Sequence, residues 1–192
     1  MKLSKPAHTD YPIMSELQER YSPRAYDPEA TLDPETWGSL WEAARWAPSA
    51  SNTQPWRFVV ALRGTELFDG IHQRLSSGNQ DWAERASALV VNVVEHETAE
   101  GKPQRWSEYD LGQAVAHFSI QAAHLGVAVH QMGGFDKAAL TEFLALESRF
   151  SPHVVMAVGR FGDVQALPEP VRERERAERS RKPLAEIVQG LF

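Results

Sequence analysis

The chain has 192 residues, of which 42% are hydrophobic and 24% charged, and these proportions are those of an ordinary globular protein with a real core. The net charge of −6 argues against a nucleic-acid partner, and the absence of cysteine excludes disulfides, thiolate zinc sites and iron–sulfur clusters. Residues 1–12 lack the apolar core of a signal peptide, and the apolar runs are too short to span a bilayer. We therefore expect a cytoplasmic protein with no membrane partner.

A short basic motif follows the first predicted helix, which covers residues 13–21. Arg20 and Arg24 lie four positions apart, with Ser22 between them. A solvated basic turn is one interpretation of this motif. The other is a phosphate clamp, because guanidinium groups pair with phosphate oxygens in a fork and a hydroxyl adds a donor.

The densest polar stretch of the chain, residues 47–56, follows the second predicted helix. That helix is expected to begin at Asp33, an N-cap residue followed by proline and glutamate, and its apolar face carries Trp37 and Trp41 as core or dimer-interface residues. Residues 47–56 hold amide and hydroxyl side chains but no charge, and Gln54 is expected to be extended because it precedes a proline. A helix-to-strand connector explains turn residues of this kind. Because the stretch is longer than a connector needs, we interpret it as a loop that hydrogen-bonds a flat, neutral, polar ligand.

The middle of the chain alternates between apolar and polar segments. A strand is predicted over residues 56–61, and residues 64–87 are predicted to be helical with a polar break at 76–79. Residues 88–94 form a near-continuous β-branched run, which predicts a strand buried on both faces. The polar stretch 96–107 is predicted to be a short linker, and its histidine and glutamates lack the spacing of metal ligands.

The longest helix is predicted over residues 108–125, with Gly126 placed to end it. One apolar stripe runs along it, formed by Leu111, Ala114, Val115, Phe118, Ala122 and Leu125. A strand over residues 127–132 then leads to Gly133 and Gly134. Paired glycines let a ligand come close to backbone N–H groups.

The C-terminal part holds one more helix, one more strand and a charged tail. Asp136 is predicted to cap the helix, and residues 153–160 form the strand. Residues 168–183 mix arginine and glutamate of alternating sign, which predicts a solvated segment. His117 and His124 share a face of the long helix, and we interpret them as ordinary polar positions without a catalytic role.

Four separated elements, in this order and across most of the chain, resemble the nitroreductase family of FMN-dependent flavoproteins. The basic motif matches the family pattern R-x-S-x-[RK], and residues 48–56 match P-S-x-x-N-x-Q-P-W. Residues 134–136 match G-F-D, and residues 179–184 match [KR]-x-R-x-P-L near the C-terminus. The family's D-x-G-x-A, at the start of its long central helix, is matched by residues 110–114.

The resemblance implies an α+β fold with a central mixed, mostly antiparallel sheet flanked by helices. It implies a single FMN-binding domain over residues 1–192 and an intertwined homodimer with FMN at the interface. The long central helix would pack against its twin, and the polar loop would partly serve the neighbouring subunit's flavin.

The resemblance also assigns roles at the phosphate end of the cofactor. Arg20 and Ser22 would approach the phosphate and ribityl chain, and Arg24 would approach the N1/O2 edge of the ring. Arg179 and Arg181 would complete the phosphate clamp.

At the ring, Asn79 would bond the pyrimidine edge, although taken alone it is an ordinary turn residue. A backbone amide of Gly133 or Gly134 would face N5, and many relatives carry a glutamate at the position of Gly133. The full implied cofactor-binding set is Arg20, Tyr21, Ser22, Arg24, Pro48, Ser49, Ala50, Asn52, Gln54, Asn79, Met132, Gly133, Gly134, Arg179 and Arg181.

The implied activity is ping-pong hydride transfer from NADH or NADPH to a small-molecule acceptor such as a nitroaromatic or a quinone. No catalytic side chain and no metal is assigned, because the sequence offers no cysteine, triad or metal-ligand cluster and a flavin would carry the difficult step. Two alternatives remain open: a non-enzymatic FMN-binding protein, such as a flavin reservoir or a redox-sensing partner, and a branch dedicated to dehalogenation or another single transformation. The short linker over 96–107 keeps the non-enzymatic alternative open and leaves the substrate preference undefined, because family members often carry a longer helical excursion there that covers the substrate side.

Overall fold

The computed structural model of the protein describes residues 3–190. Its centre is a four-stranded sheet made of β1 (Trp56–Leu62), β2 (Ala88–Glu95), β3 (Ala128–Met132) and β4 (Phe150–Gly159). The strand order is β1-β2-β4-β3, and every neighbouring pair is antiparallel. This confirms the predicted α+β fold with a mostly antiparallel sheet, and it makes β1 and β3 the two edge strands.

Eight α-helices flank the sheet in the described part of the chain. They are α1 (Ser15–Glu19), α2 (Pro34–Arg45), α3 (Glu66–His72), α4 (Ser77–Ala83), α5 (Ser107–His124), α6 (Lys137–Phe143), α7 (Glu169–Arg176) and α8 (Leu184–Ile187). Two short 3-10 turns lie at Ala50–Asn52 and Val164–Ala166. None of the helices within residues 3–190 has the length and apolar character needed to cross a membrane.

The sheet is covered on both faces. Strand β2 is therefore buried along its whole length, as its β-branched composition predicts. One face packs against α2 and α5, where Trp41 lies 4.8 Å from Phe118 and 5.1 Å from Phe58 between ring centroids. The other face packs around Trp82, which is fully buried and stacks on Tyr26. Two hydrophobic clusters therefore pack against the sheet, one on each face.

Several predicted boundaries are wrong for local reasons. The first helix ends at Glu19, because Arg20 turns to an extended backbone with ψ of 126°. The break between α3 and α4 lies at residues 73–76, where the Ser76 N–H donates to the Gly134 carbonyl. Strand β4 begins at Phe150, three residues before the predicted start, because its first residues pair with the end of β2 across a bulge.

Helix α5 has the predicted length, and its apolar stripe packs within the same chain. Gly126 follows it with φ of +65°, as a helix-ending glycine should. The predicted stripe, including Leu111 and Phe118, is buried against α2 and the sheet of the same chain. That stripe is therefore not free to pack against a second copy.

The charged tail is not simply solvated. Residues 169–176 form α7, and Val171 and Glu175 are buried on its inner side. The exposed residues of α7 account for the alternating charge pattern, but one carboxylate of that pattern lies inside the protein. The prediction that residues 168–183 are a solvated segment is therefore wrong for Val171 and Glu175.

Backbone pairing attaches the segment after α1 to the end of β4. The Gly162 N–H donates to the Ala25 carbonyl at 2.9 Å, and the Asp27 N–H donates to the Arg160 carbonyl at 3.0 Å. Gly162 is required there, because a Cβ at this position would lie 2.2 Å from the Tyr26 carbonyl oxygen. The basic motif of the sequence is thus held against the core by main-chain contacts.

Gly162→Ala should lower the free energy of unfolding by about 1–3 kcal/mol, because the added Cβ would clash with backbone atoms that cannot move aside. Gly38→Ala is the matched control, since a Cβ at Gly38 inside α2 meets nothing within 4 Å. That substitution should stabilise the helix by about 0.5–1 kcal/mol. Urea unfolding at a fixed protein concentration measures both. Equal effects of the two substitutions would show that the Gly162 contact is not a constraint.

Candidate active site

Three guanidinium groups from the two ends of the chain converge at one cavity. Arg20 comes from the end of α1, and Arg179 and Arg181 come from the segment after α7. All three line a cavity of about 280 Å³. Burial lowers the pKa of Arg20, and the charges of Arg179 and Arg181 lower it further. The structure therefore brings together the two halves of the predicted clamp.

Arg179 has a structural role within this cluster. Its Nη1 donates to the carbonyls of Lys5 at 2.6 Å and Gln18 at 2.8 Å, so it ties the N-terminal arm to α1. Arg181 is exposed, and its Nη1 donates to the adjacent Ser180 carbonyl at 2.7 Å. The Arg181 guanidinium is therefore more available for a ligand than that of Arg179, part of which is occupied by the protein.

The rest of the first motif splits between core and surface. Tyr21 is buried, with its ring 5.9 Å from that of Phe161, and Ser22 is exposed. Arg24 is half-buried, and its Nη1 lies 3.6 Å from the Glu175 carboxylate. The Tyr21 side chain is therefore part of the core and not a side-chain ligand contact in this arrangement.

The Gly-Gly turn and Asn79 form one unit. The Asn79 side-chain amide donates to the Gly134 carbonyl at 3.0 Å, and the Ser76 N–H donates to the same oxygen at 2.9 Å. A Cβ on Gly134 would lie 2.6 Å from the Ser76 hydroxyl, whereas a Cβ on Gly133 would meet nothing within 4 Å. Both glycines line an open cavity of about 670 Å³. The backbone at Gly133 is therefore the approachable part of this turn, which follows directly after the buried Met132.

His130 links the turn to the basic motif. It lies on β3 and contacts the Pro23 carbonyl through Nδ1 at 2.9 Å, while its ring packs 4.5 Å from Trp82. Burial lowers the pKa of His130 to about 4, the Pro23 contact opposes this, and the charge of Arg24 adds to the lowering. A neutral imidazole thus fixes the spacing between the clamp segment and β3 at neutral pH.

The polar loop has an unusual backbone. The φ angles of Ser51, Asn52 and Gln54 are +52°, +56° and +49°. Residues other than glycine rarely adopt this left-handed backbone conformation. The expectation that Gln54 is extended is therefore wrong. Its N–H donates to the Ser49 hydroxyl at 3.1 Å, and its side-chain amide donates to the Asn52 carbonyl and side chain. These internal hydrogen bonds hold the loop in a shape that its local preferences disfavour.

Two charged groups anchor this loop to the fold. The buried carboxylate of Asp110 accepts a hydrogen bond from the Ala50 N–H at 3.0 Å. Arg57 donates to the Gln54 carbonyl at 3.1 Å and pairs with the buried Glu95, which also pairs with Arg149. A loop that is both strained and anchored at several points is typical of a binding or catalytic element.

Within one chain the polar loop and the clamp lie far apart. The loop is anchored at Asp110 near the start of α5, whereas α1 meets the other end of α5 where His124 bonds Glu16 at 2.9 Å. At 1.5 Å of rise per residue, these ends of α5 are separated by about 21 Å. The loop also precedes β1, and the Gly-Gly turn follows β3, on opposite edges of the sheet.

Sequence reasoning missed two aromatic residues beside the polar loop. Trp106 and Tyr109 are 56% and 67% exposed, which is unusual for side chains of this size. With Pro48, Ser49 and Ala50 they line a cavity of about 410 Å³. Their position at the junction between the polar linker and the longest helix is the signal that could have identified them.

Comparison with known proteins assigns the class of this fold. The sequence profile described as "Nitroreductase family" matches residues 17–80 and 64–160. A putative NADH dehydrogenase/NAD(P)H nitroreductase from Streptomyces coelicolor is 30% identical over 68% of this chain and 74% of its own length. An oxygen-insensitive NAD(P)H nitroreductase from Salmonella typhimurium is 27% identical over 77% of this chain and 88% of its own. The chain belongs to the nitroreductase family.

The similarity extends through the whole structure. A crystal structure described as an oxidoreductase containing FMN superposes with a TM-score of 0.90 and 36% sequence identity, covering 100% of this chain and 98% of the other. The resemblance found in the sequence motifs is thereby confirmed at the level of the fold.

Acid should weaken the fold through His130. Its folded pKa of about 4 lies below the value of about 6.5 in an unfolded chain, so the unfolded state takes up a proton first as the pH falls. The free energy of unfolding should therefore drop between about pH 6.5 and pH 4, by at most roughly 3 kcal/mol from this group. His130→Asn keeps an amide N–H for the Pro23 carbonyl but does not titrate, so its unfolding free energy should change less over this window. Urea unfolding across the pH series measures the difference.

The control is His153→Asn, because His153 is an exposed residue on β4. It should keep the pH slope of the wild type. Identical slopes for the wild type and His130→Asn would show that His130 does not contribute to acid sensitivity.

Proposed function

We propose that this chain is an NAD(P)H-dependent FMN oxidoreductase that reduces a nitroaromatic, a quinone or a similar small acceptor. The proposal treats residues 1–192 as one FMN-binding domain that works as a homodimer. Its relatives named NAD(P)H nitroreductase and the similar FMN-containing oxidoreductase support this activity. The use of NAD(P)H fits the cytoplasmic location that the sequence predicts.

The observation that carries the proposal is the convergence of Arg20, Arg179 and Arg181. Three like charges at one cavity repel one another, and Glu19 offsets only part of this charge. A terminal phosphate carries about −1.5 to −2 charges at neutral pH and offers several acceptor oxygens, so it relieves that repulsion. The donor set therefore fits the phosphate of FMN.

The ring of the cofactor fits the Gly-Gly turn. The approachable backbone at Gly133 offers an N–H to a flat heterocycle, and Asn79 lies beside it on α4. Arg24 supplies positive charge close to β3. When bound, FMN would accept a hydride from NAD(P)H and pass electrons to the second substrate in a ping-pong sequence. The protein residues orient and charge-stabilise the cofactor, and no side chain is required as an acid or base.

The polar loop and the clamp segment contact opposite ends of α5, about 21 Å apart along the helix, and this supports a site shared by two subunits. In this arrangement the polar loop of one subunit, with Pro48, Ser49, Ala50, Asn52 and Gln54, meets the clamp and Gly-Gly turn of the other. The exposed Trp106 and Tyr109 would be covered by the second copy. The proposed site is incomplete in a single chain.

Turnover separates the enzyme from a non-enzymatic flavin reservoir. The purified protein should bind FMN non-covalently and oxidise NADH or NADPH in the presence of a quinone or nitroaromatic panel. Binding of FMN without any turnover across that panel would leave the reservoir as the function.

Arg181→Ala and Arg20→Ala should each weaken FMN binding about 10- to 100-fold while leaving riboflavin binding nearly unchanged. The reason is the loss of a charge-assisted hydrogen bond to phosphate, which riboflavin lacks. Titration of the apoprotein, followed by flavin fluorescence, measures both affinities. Arg179→Ala should weaken both ligands, because it also releases the contact between the arm and α1.

The control for the clamp is Arg174→Ala. Arg174 is an exposed arginine of α7 that donates to the Pro170 carbonyl of its own helix. It should not alter either affinity. Equal losses of FMN and riboflavin in Arg181→Ala would contradict a phosphate contact.

Mixing two defective proteins should restore sites if the loop acts on the neighbouring subunit. One variant carries Arg181→Ala, and the other carries Asn52→Gly with Gln54→Gly, in which glycine keeps the left-handed backbone and removes the amides. Each mixed dimer then holds one site with both lesions and one intact site, so about a quarter of all sites should recover after random exchange. Light scattering checks that the protein is dimeric. Failure of the mixture to recover any tight FMN sites would mean that loop and clamp act within one chain.

A further inference from the structure

Glu175 is a buried carboxylate that the proposed function does not use. It lies on α7, in a segment otherwise rich in exposed charge, and is only 1% exposed. Burial of an ionisable side chain carries a large desolvation cost unless it is paired, so its position requires a reason.

The contacts of Glu175 are directed at the basic motif. Its Oε2 accepts a hydrogen bond from the Arg24 backbone N–H at 3.0 Å and lies 3.6 Å from the Arg24 guanidinium. Its Oε1 is buried and has no hydrogen-bond partner of good geometry among residues 3–190, and the Tyr21 phenol interacts with the same carboxylate. One oxygen therefore holds Arg24, and the carboxylate as a whole lies beside a phenol.

Four ionisable groups surround this carboxylate. Lys5 lies on the N-terminal arm, and its ammonium group donates to the Glu175 backbone carbonyl at 2.7 Å. Arg24 contacts the carboxylate from the basic motif. The phenols of Tyr21 and Tyr26 are close enough to feel its charge. Their pKa values are raised first by burial and then by the charge of Glu175. Burial raises the pKa of Glu175 itself, whereas Arg24 and Lys5 oppose that rise. The protonation of Glu175 is thus a balance between desolvation and two cations.

Arg24 lies next to the strand that leads into the proposed flavin site. The adjacent Pro23 carbonyl contacts Nδ1 of His130 at 2.9 Å, and His130 lies on β3 three residues before Gly133. The charge of Arg24 contributes to the lowered pKa of His130. The charge of Arg24 therefore reaches the strand that leads into the Gly-Gly turn. An ionised Glu175 cancels part of this charge, and a protonated Glu175 does not.

We propose that Glu175 is a positioning residue that holds Arg24 and sets the net charge that Arg24 presents to bound FMN, so that the reduction potential of the flavin depends on whether Glu175 carries a proton. The inference rests on the proposed function, because it places the flavin ring beside Arg24. Glu175 takes no part in hydride transfer itself.

The test compares midpoint potentials of FMN-loaded variants. Glu175→Gln removes the negative charge and keeps a carbonyl acceptor for the Arg24 N–H. It should raise the potential by about 30 mV, which corresponds to a tenfold gain in preference for the reduced flavin. Arg24→Ala should shift the potential in the opposite direction. Glu173→Gln is the control, because Glu173 is an exposed carboxylate on the same helix, and its potential should equal that of the wild type.

A double variant tests the route through Arg24. In the Arg24→Ala background, Glu175→Gln should produce little further shift, because the charge that it regulates is gone. The difference in potential between the wild type and Glu175→Gln should also disappear as the pH falls and Glu175 becomes protonated in the wild type. FMN-loaded Glu175→Gln with an unchanged potential, or the same shift in both backgrounds, overturns the inference.

A reciprocal measurement uses the wild type alone, so the test does not depend on the folding of a variant. If a proton on Glu175 favours the reduced flavin, reduction must favour the proton on Glu175 by the same factor. A reduced-minus-oxidised infrared spectrum of protein labelled with carbon-13 glutamate should show a carboxyl band that gains intensity on reduction. Its absence at every pH overturns the inference. A wild-type protein that binds no FMN overturns the proposed function instead.

Discussion

The repulsion between three converging guanidinium groups is the constraint on which the rest of this structure depends. Arg20 and Arg181 lie far apart in sequence, and bringing them to one cavity costs electrostatic free energy in the absence of an anion. The fold meets this cost through contacts that do not involve the ligand, namely the Arg179 bonds to the arm and to α1 and the backbone pairing of Gly162 with Ala25. A site prepared in this way needs little reorganisation when a phosphate arrives.

Features that depend on neighbouring residues in sequence could be predicted well. The Asp33 cap, the fully buried β2 and the glycine after α5 all follow from local patterns, and the structure has each of them. The implied sheet architecture came from the motif resemblance, because periodicity alone does not order strands. Arg20 converges with Arg179 and Arg181, which the motif resemblance predicts, but the roles of these residues toward a cofactor stay predictions.

Features that depend on tertiary contacts could not be predicted. An alternating run of arginine and glutamate gives no indication that Glu175 faces inward. The polar partner of its carboxylate is Arg24, which is distant in sequence. The prediction of an extended Gln54 fails for a similar reason, because the extended preference of a residue before proline is overridden by hydrogen bonds to Ser49 and Asn52. Periodicity predicts the apolar stripe on α5, but it does not say whether α2 or a second copy covers that stripe.

Helix α7 connects the two electrostatic parts of the proposed site. Its inner face carries Glu175 beside Arg24, and the chain that leaves it supplies Arg179 and Arg181 to the phosphate cavity. Lys5 contacts the Glu175 carbonyl with its side chain, and its own carbonyl accepts from Arg179. A single short segment therefore contributes both to holding the phosphate and to setting the charge near the ring. Loss of order in α7 would then disturb affinity and reduction potential together, whereas replacing Glu175 alone separates the two properties.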